Sequence, residues 1–120
     1  MKRFAINRLQ EWKEDPNRLP MIIRGARQVG KTWLMQEFGR TAFERCAYIN
    51  FDRNERMQHL FSGDFDVDRI LRGLAIESGV EIDPESTLII LDEIQEVPAA
   101  LQSLKYFCED SRHRYYILAA

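Results

Sequence analysis

Apolar residues along this chain alternate between two patterns. Four short runs are nearly continuous: Leu19-Pro20-Met21-Ile22-Ile23-Arg24, Cys46-Ala47-Tyr48-Ile49-Asn50-Phe51, Thr87-Leu88-Ile89-Ile90-Leu91 and Tyr115-Tyr116-Ile117-Leu118-Ala119-Ala120. The third is apolar at every second and every first position, with β-branched content, as in a strand covered on both faces of a parallel sheet. These runs are expected as strands β1 (about 19–24), β2 (46–51), β3 (87–91) and β4 (115–120).

Between them the spacing becomes helical. Phe4, Ile6, Leu9 and Trp12 mark an amphipathic helix over about 4–13, which Asp15-Pro16-Asn17 breaks. A second helix over about 31–40 is expected to end near Gly39. Positions 67, 70, 71 and 74 define a third, with Asp66 as its N-cap. Pro98 suits the first turn of a fourth, whose expected face is Leu101, Leu104, Phe107 and Cys108. Asp52 to Gly63 reads as loop with a helical turn or two, and Gly79 and Pro84 bracket a turn. Strands alternating with helices imply an α/β fold, a three-layer sandwich around a parallel sheet.

One junction carries chemistry. Gly25-Ala26-Arg27-Gln28-Val29-Gly30-Lys31-Thr32 is G-x-x-x-x-G-K-T, the Walker A phosphate loop. It lies between β1 and the second helix, as that motif requires. The glycines let successive backbone N–H groups converge on one anion, and the helix adds its positive N-terminal end. Residues 25–32 together with Trp33 are the expected nucleotide-binding positions. Lys31 supplies a charge to the β- and γ-phosphates, and the Thr32 hydroxyl is a Mg2+ ligand.

A second junction complements the first. The apolar run 88–91 ends in Asp92-Glu93-Ile94-Gln95. Four apolar residues followed by an acid is Walker B: Asp92 holds Mg2+, and Glu93 is the general base that polarises the attacking water. One strand, β2, separates the two Walker strands in sequence. An additional strand with a glutamate beside the Walker B aspartate favours the ATP-hydrolysing group of P-loop proteins over kinases and GTPases. There is no Asn-Lys-x-Asp guanine motif.

Composition narrows the remaining classes. The 120 residues suffice for one domain, with 45% hydrophobic and 30% charged residues. A net charge of −2 does not indicate nucleic acid or a membrane surface as partner. No apolar run reaches the roughly 18–20 residues of a membrane span. The charged start Met1-Lys2-Arg3-Phe4 lacks a signal-peptide core, and Cys46 and Cys108 match no metal spacing, so a cytoplasmic protein with reduced thiols is expected.

Arg24-Gly25-Ala26-Arg27-Gln28-Val29-Gly30-Lys31-Thr32, Tyr48-Ile49-Asn50-Phe51-Asp52, Leu91-Asp92-Glu93-Ile94-Gln95 and Tyr116-Ile117-Leu118-Ala119 together resemble a group of prokaryotic AAA-like ATPases. In that group an N-terminal ATPase domain precedes a C-terminal domain of unknown function. The resemblance covers about residues 5–120. It implies the sheet order β2-β3-β4-β1, with β5 missing, and therefore a truncated chain without sensor 1, arginine finger or second domain. On that view β1 lies at a sheet edge, where another chain or residues 1–13 are expected to cover it.

Several residues carry two readings. Arg27 and Gln28 contact phosphates or a neighbouring subunit, or face solvent. Trp12 and Leu9 cover the adenine or pack in the core. Gln95 orients water or relays nucleotide state, or begins a loop. Asn50 positions Mg2+ or water, or forms a turn with Asp52. Arg112 and Arg114 form a solvated turn or act in trans, and His59 and His113 are surface residues. Residues 1–120 are expected as one partial domain, a helix over about 4–13 followed by a nucleotide-binding core over about 19–120. The expected function is Mg2+-dependent ATP hydrolysis coupled to conformational change. The alternatives are a nucleotide-gated interaction module with little turnover, in a homo-oligomer or with a protein partner, and a small-molecule kinase.

Overall fold

The computed structural model describes residues 2–24, 30–110 and 114–120. The elements run α1 (Lys2–Glu14), β1 (Met21–Ile22), α2 (Lys31–Ala42), β2 (Arg45–Asn50), α3 (Glu55–Leu60), α4 (Val67–Ser78), β3 (Thr87–Asp92), a 3-10 turn (Ile94–Glu96), α5 (Pro98–Glu109) and β4 (Tyr116–Ala119). The sheet is parallel throughout, in the order β1-β4-β3-β2. This is the expected order, read from the other edge.

The central strand β3 is buried at every position and pairs with β2 from Arg45↔Thr87 to Asn50↔Asp92. Alternation sends its side chains to opposite faces. Ile89 and Leu91 join Ala47, Ile49 and Ile117 against Ile70, Leu74, Leu104 and Phe107 of α4 and α5. Leu88 and Ile90 join Leu118 against Met35 and Phe38 of α2 and Leu9 and Trp12 of α1. The result is the three-layer sandwich expected from the pattern. Among the described residues, no helix is long and apolar enough to cross a membrane.

The Asp66 side chain caps α4 by accepting from the Arg69 N–H, as expected. Other details differ from the sequence expectation. Gly39 does not end α2, which continues to Ala42. It is instead a contact glycine: a Cβ there would meet Cys46 Sγ at 2.7 Å, so helix and sheet approach closely because the side chain is missing. On α5 the buried face is Ala100, Ser103, Leu104 and Phe107, while Leu101 is 41% exposed. Phe4 of α1 is also exposed.

Leu9 and Trp12 are core residues, and the Trp12 indole N–H donates to the Leu19 carbonyl at 2.8 Å. Helix α1 thus covers Met21 and Ile23 from one face of the sheet. Ile22, on the other face, is exposed. Among the described residues, no strand pairs with the outer side of β1.

Candidate functional site

The site is assembled where α2 begins and β3 ends. Gly30 precedes α2 with φ 80° and ψ 24°, a left-handed conformation that a side chain would strain. Its carbonyl accepts the Leu34 N–H at 2.9 Å and so starts the helix. Thr32 then lies in the first turn of α2. Its hydroxyl donates to Asp92 Oδ2 at 2.6 Å, joining residues 60 positions apart.

Asp92 is 4% exposed, a depth at which a carboxylate needs hydrogen-bond partners. Three donors meet it. Thr32 Oγ1 and the Tyr48 hydroxyl both donate to Oδ2, each at 2.6 Å, and the Glu93 backbone N–H donates to Oδ1 at 3.0 Å. Burial pushes the Tyr48 phenol above its ordinary value, and the Asp92 hydrogen bond and the charges of Asp92 and Glu93 push it the same way. The phenol therefore remains a donor at neutral pH.

Glu93 leaves the strand differently. Its backbone is left-handed, φ 57° and ψ 42°, a conformation that costs a non-glycine residue on the order of 1 kcal/mol. Its carboxylate accepts from Gln95 Nε2 at 2.7 Å. The next amide, Ile94 N–H, donates to the Ala120 carbonyl at 2.9 Å, which ties the turn to the end of β4. Beside it an open cleft of about 310 Å3 is lined by Ile22, Ile23, Arg24, Lys31, Ile94 and Gln95.

The structure thus brings together Thr32, Asp92 and Glu93, with Lys31 at the adjoining cleft. Gly25, Ala26, Arg27, Gln28 and Val29 lie outside the described residues, as do Arg112 and His113. Trp33, in the first turn of α2, is 47% exposed. Asn50 takes its turn-forming reading: its Oδ1 accepts the Asp52 N–H at 2.9 Å. His59 is exposed, and Arg114 presents its backbone carbonyl to Arg18 at 2.6 Å. Among the described residues, no cluster of three or more His, Cys, Asp or Glu side chains forms a separate metal site. Cys46 and Cys108 are free thiols.

Sequence reasoning missed Tyr48 as part of the site. The available signal was its alternation with buried Ala47 and Ile49, which puts it on the α2 face of the strand beside β3.

No curated protein and no solved structure matches the chain significantly. The sequence profile of the AAA domain family matches residues 17–120, which includes both β-strand ends described above and all of α2. The chain belongs to the AAA domain family.

Proposed function

We propose that this chain binds ATP with Mg2+ and hydrolyses it, coupling the reaction to a conformational change. Gly25, Ala26, Arg27, Gln28, Val29, Gly30, Lys31, Thr32 and Trp33 form the nucleotide-binding segment. Lys31 and Glu93 are the catalytic groups, and Thr32 and Asp92 hold the cation. The observation that carries this reading is the 2.6 Å bond from Thr32 Oγ1 to Asp92 Oδ2. It couples the last residue of one phosphate motif to the first acid of the other.

The donor set fits a hard divalent cation. A threonine hydroxyl that gives its proton to a carboxylate keeps its oxygen lone pairs for a metal. Asp92 adds a buried anionic oxygen ligand, bound directly or through water. When bound, Mg2+ supplies neutralisation of phosphate charge. Glu93 is one residue further on, where the backbone turns left-handed, and is assigned to the water while Asp92 serves the cation. Lys31 serves as a point charge for phosphate oxygens.

The test is Glu93→Gln. It is expected to retain ATP binding and to lower turnover by about 10²–10⁴-fold, the usual contribution of a general base. Unchanged turnover removes Glu93 from that role. A second reading, a nucleotide-gated switch of slow turnover, is favoured by the Gln95 bond to Glu93, which occupies the base. Gln95→Ala separates the two: faster hydrolysis indicates a restrained base, and slower hydrolysis indicates that Gln95 orients the water.

The free thiols Cys46 and Cys108 are in keeping with a cytoplasmic setting, with a homo-oligomer or protein partner receiving the conformational change. A single nucleotide-binding core over about 19–120, preceded by one helix, is part of the same proposal.

A further inference from the structure

We propose that Tyr48, which lies outside both phosphate motifs, is a positioning residue for the cation site, holding the Asp92 carboxylate in the one orientation that Mg2+ requires. The inference rests on the ATP-and-Mg2+ reading and adds to it a residue of the intervening strand.

The placement follows from register. Tyr48 pairs with Ile90 in the β2–β3 ladder. Ile90 and Asp92 share a face of β3, because side chains alternate along a strand. Tyr48 projects from β2 on the same face, one diagonal step from Asp92, within reach of a long aromatic side chain. The bond from its hydroxyl to Oδ2 at 2.6 Å closes that step. Its ring packs against the core beneath α1 and α2, so the phenol is a strut with a supported base.

The strut matters because of how the other donors behave. An aspartate carboxylate turns easily about its last torsion, which is broad and roughly two-fold. The Glu93 N–H restrains Oδ1 alone. Thr32 restrains Oδ2, but Thr32 is itself a proposed cation ligand on the helix that carries the phosphate loop. Tyr48 is the donor to Oδ2 that comes from the sheet. It fixes Asp92 relative to β2 and β3 whatever Thr32 does. Outer donors of this kind tune metal affinity by orienting the ligand they touch, and losing one costs roughly 10–100-fold in metal affinity.

The experiment is Tyr48→Phe, which keeps the ring and removes only the hydroxyl. Wild-type and variant chains are titrated with Mg2+ in the presence of a fluorescent ATP analogue. The same analogue is bound in EDTA, and thermal unfolding is recorded without ligand. The Mg2+ midpoint is expected to rise roughly tenfold or more, with binding in EDTA unchanged within about twofold and a cooperative melt preserved. An unmoved midpoint overturns the inference. So does an equal loss of affinity with and without Mg2+, which makes Tyr48 a structural link only.

Should the variant fail to melt cooperatively, fluorotyrosine at position 48 in the otherwise wild-type chain decides. Its fluorine resonance is expected to move when Mg2+ is added to the nucleotide-bound chain. A resonance indifferent to Mg2+ overturns the inference. A wild-type chain whose nucleotide binding ignores Mg2+ overturns the ATP-and-Mg2+ reading and this inference with it. A wild type that responds, with Tyr48→Phe responding equally, overturns this inference alone.

Discussion

On the side of the sheet covered by α3, α4 and α5, strands β2, β3 and β4 present Ala47, Ile49, Ile89, Leu91, Ile117 and Ala119, all buried and all apolar. On the side covered by α1 and α2, the same strands present Leu88, Ile90 and Leu118, then Tyr48 and Asp92 near the ends where β2 and β3 meet α2. One face is core along its whole length. The other is core for most of its length and becomes a polar site in its last steps. The difference comes from strand ends: only there can a carboxylate sit beside a helix N-terminus and still find three donors. Stability and chemistry are therefore separable by mutation.

The largest expected effect tests that separation from the site side. Glu93→Gln is expected to lower turnover by about 10²–10⁴-fold with no change in melting temperature, as read by steady-state ATPase assay and calorimetry. A large drop in stability would mean that Glu93 also holds the fold. From the core side, Ile89→Ala removes a fully buried side chain on the apolar face. It is expected to cost about 2–5 kcal/mol in chemical denaturation, while nucleotide affinity of the folded fraction stays unchanged. Altered affinity would show that the two faces are coupled.

Two glycines sharpen the comparison further, one on each face. Gly39→Ala places a methyl group against Cys46 Sγ at 2.7 Å and Leu88 Cδ2 at 3.3 Å, both on sheet strands. Overpacking at such a place is expected to cost about 1–3 kcal/mol. Gly73→Ala meets the Leu60 side chain, but Leu60 lines an open groove between α3 and α4 into which it can turn. Alanine also favours a helix interior over glycine by up to about 1 kcal/mol, so the net change is expected within about 1 kcal/mol of zero. Equal losses at both positions would contradict the reading of α3 as the more yielding wall. The smallest effect is Asp66→Ala, which removes the α4 cap at its Arg69 amide bond of 3.0 Å and is expected to cost about 1 kcal/mol. It leaves nucleotide binding alone.

Much of the fold was legible because residues 88–91 are apolar throughout and are followed by two acids, so the central place of β3 and its polar end follow from one stretch of sequence. The strand order came from the resemblance, and the ladder reproduces it. Helix α5 shows what hydrophobicity alone misses. Ala100 and Ser103 face inward because they are small, and Leu101 faces out, although a count of large apolar residues selects Leu101. Gly39 reads as a stop signal, since glycine weakens helices. Tertiary packing overrode that weak preference by using the missing side chain for close contact. In the site, Thr32, Asp92 and Glu93 were legible from motif spacing. Tyr48 was not, since its contribution depends on a diagonal across two strands that are 44 residues apart at the contact.

The Ile94 N–H bond to the Ala120 carbonyl, together with the Ala120 N–H bond to the Leu91 carbonyl, has a mechanical consequence. The peptide after Glu93 is stapled to the end of β4, and the end of β4 is stapled back to β3 just before Asp92. Both acids are thus tied to one residue, Ala120, each through a neighbouring peptide. The Glu93 N–H also donates to Asp92 Oδ1 at 3.0 Å. The strand end and the turn after it form one hydrogen-bonded unit, so a displacement at the end of β4 reaches both carboxylates together.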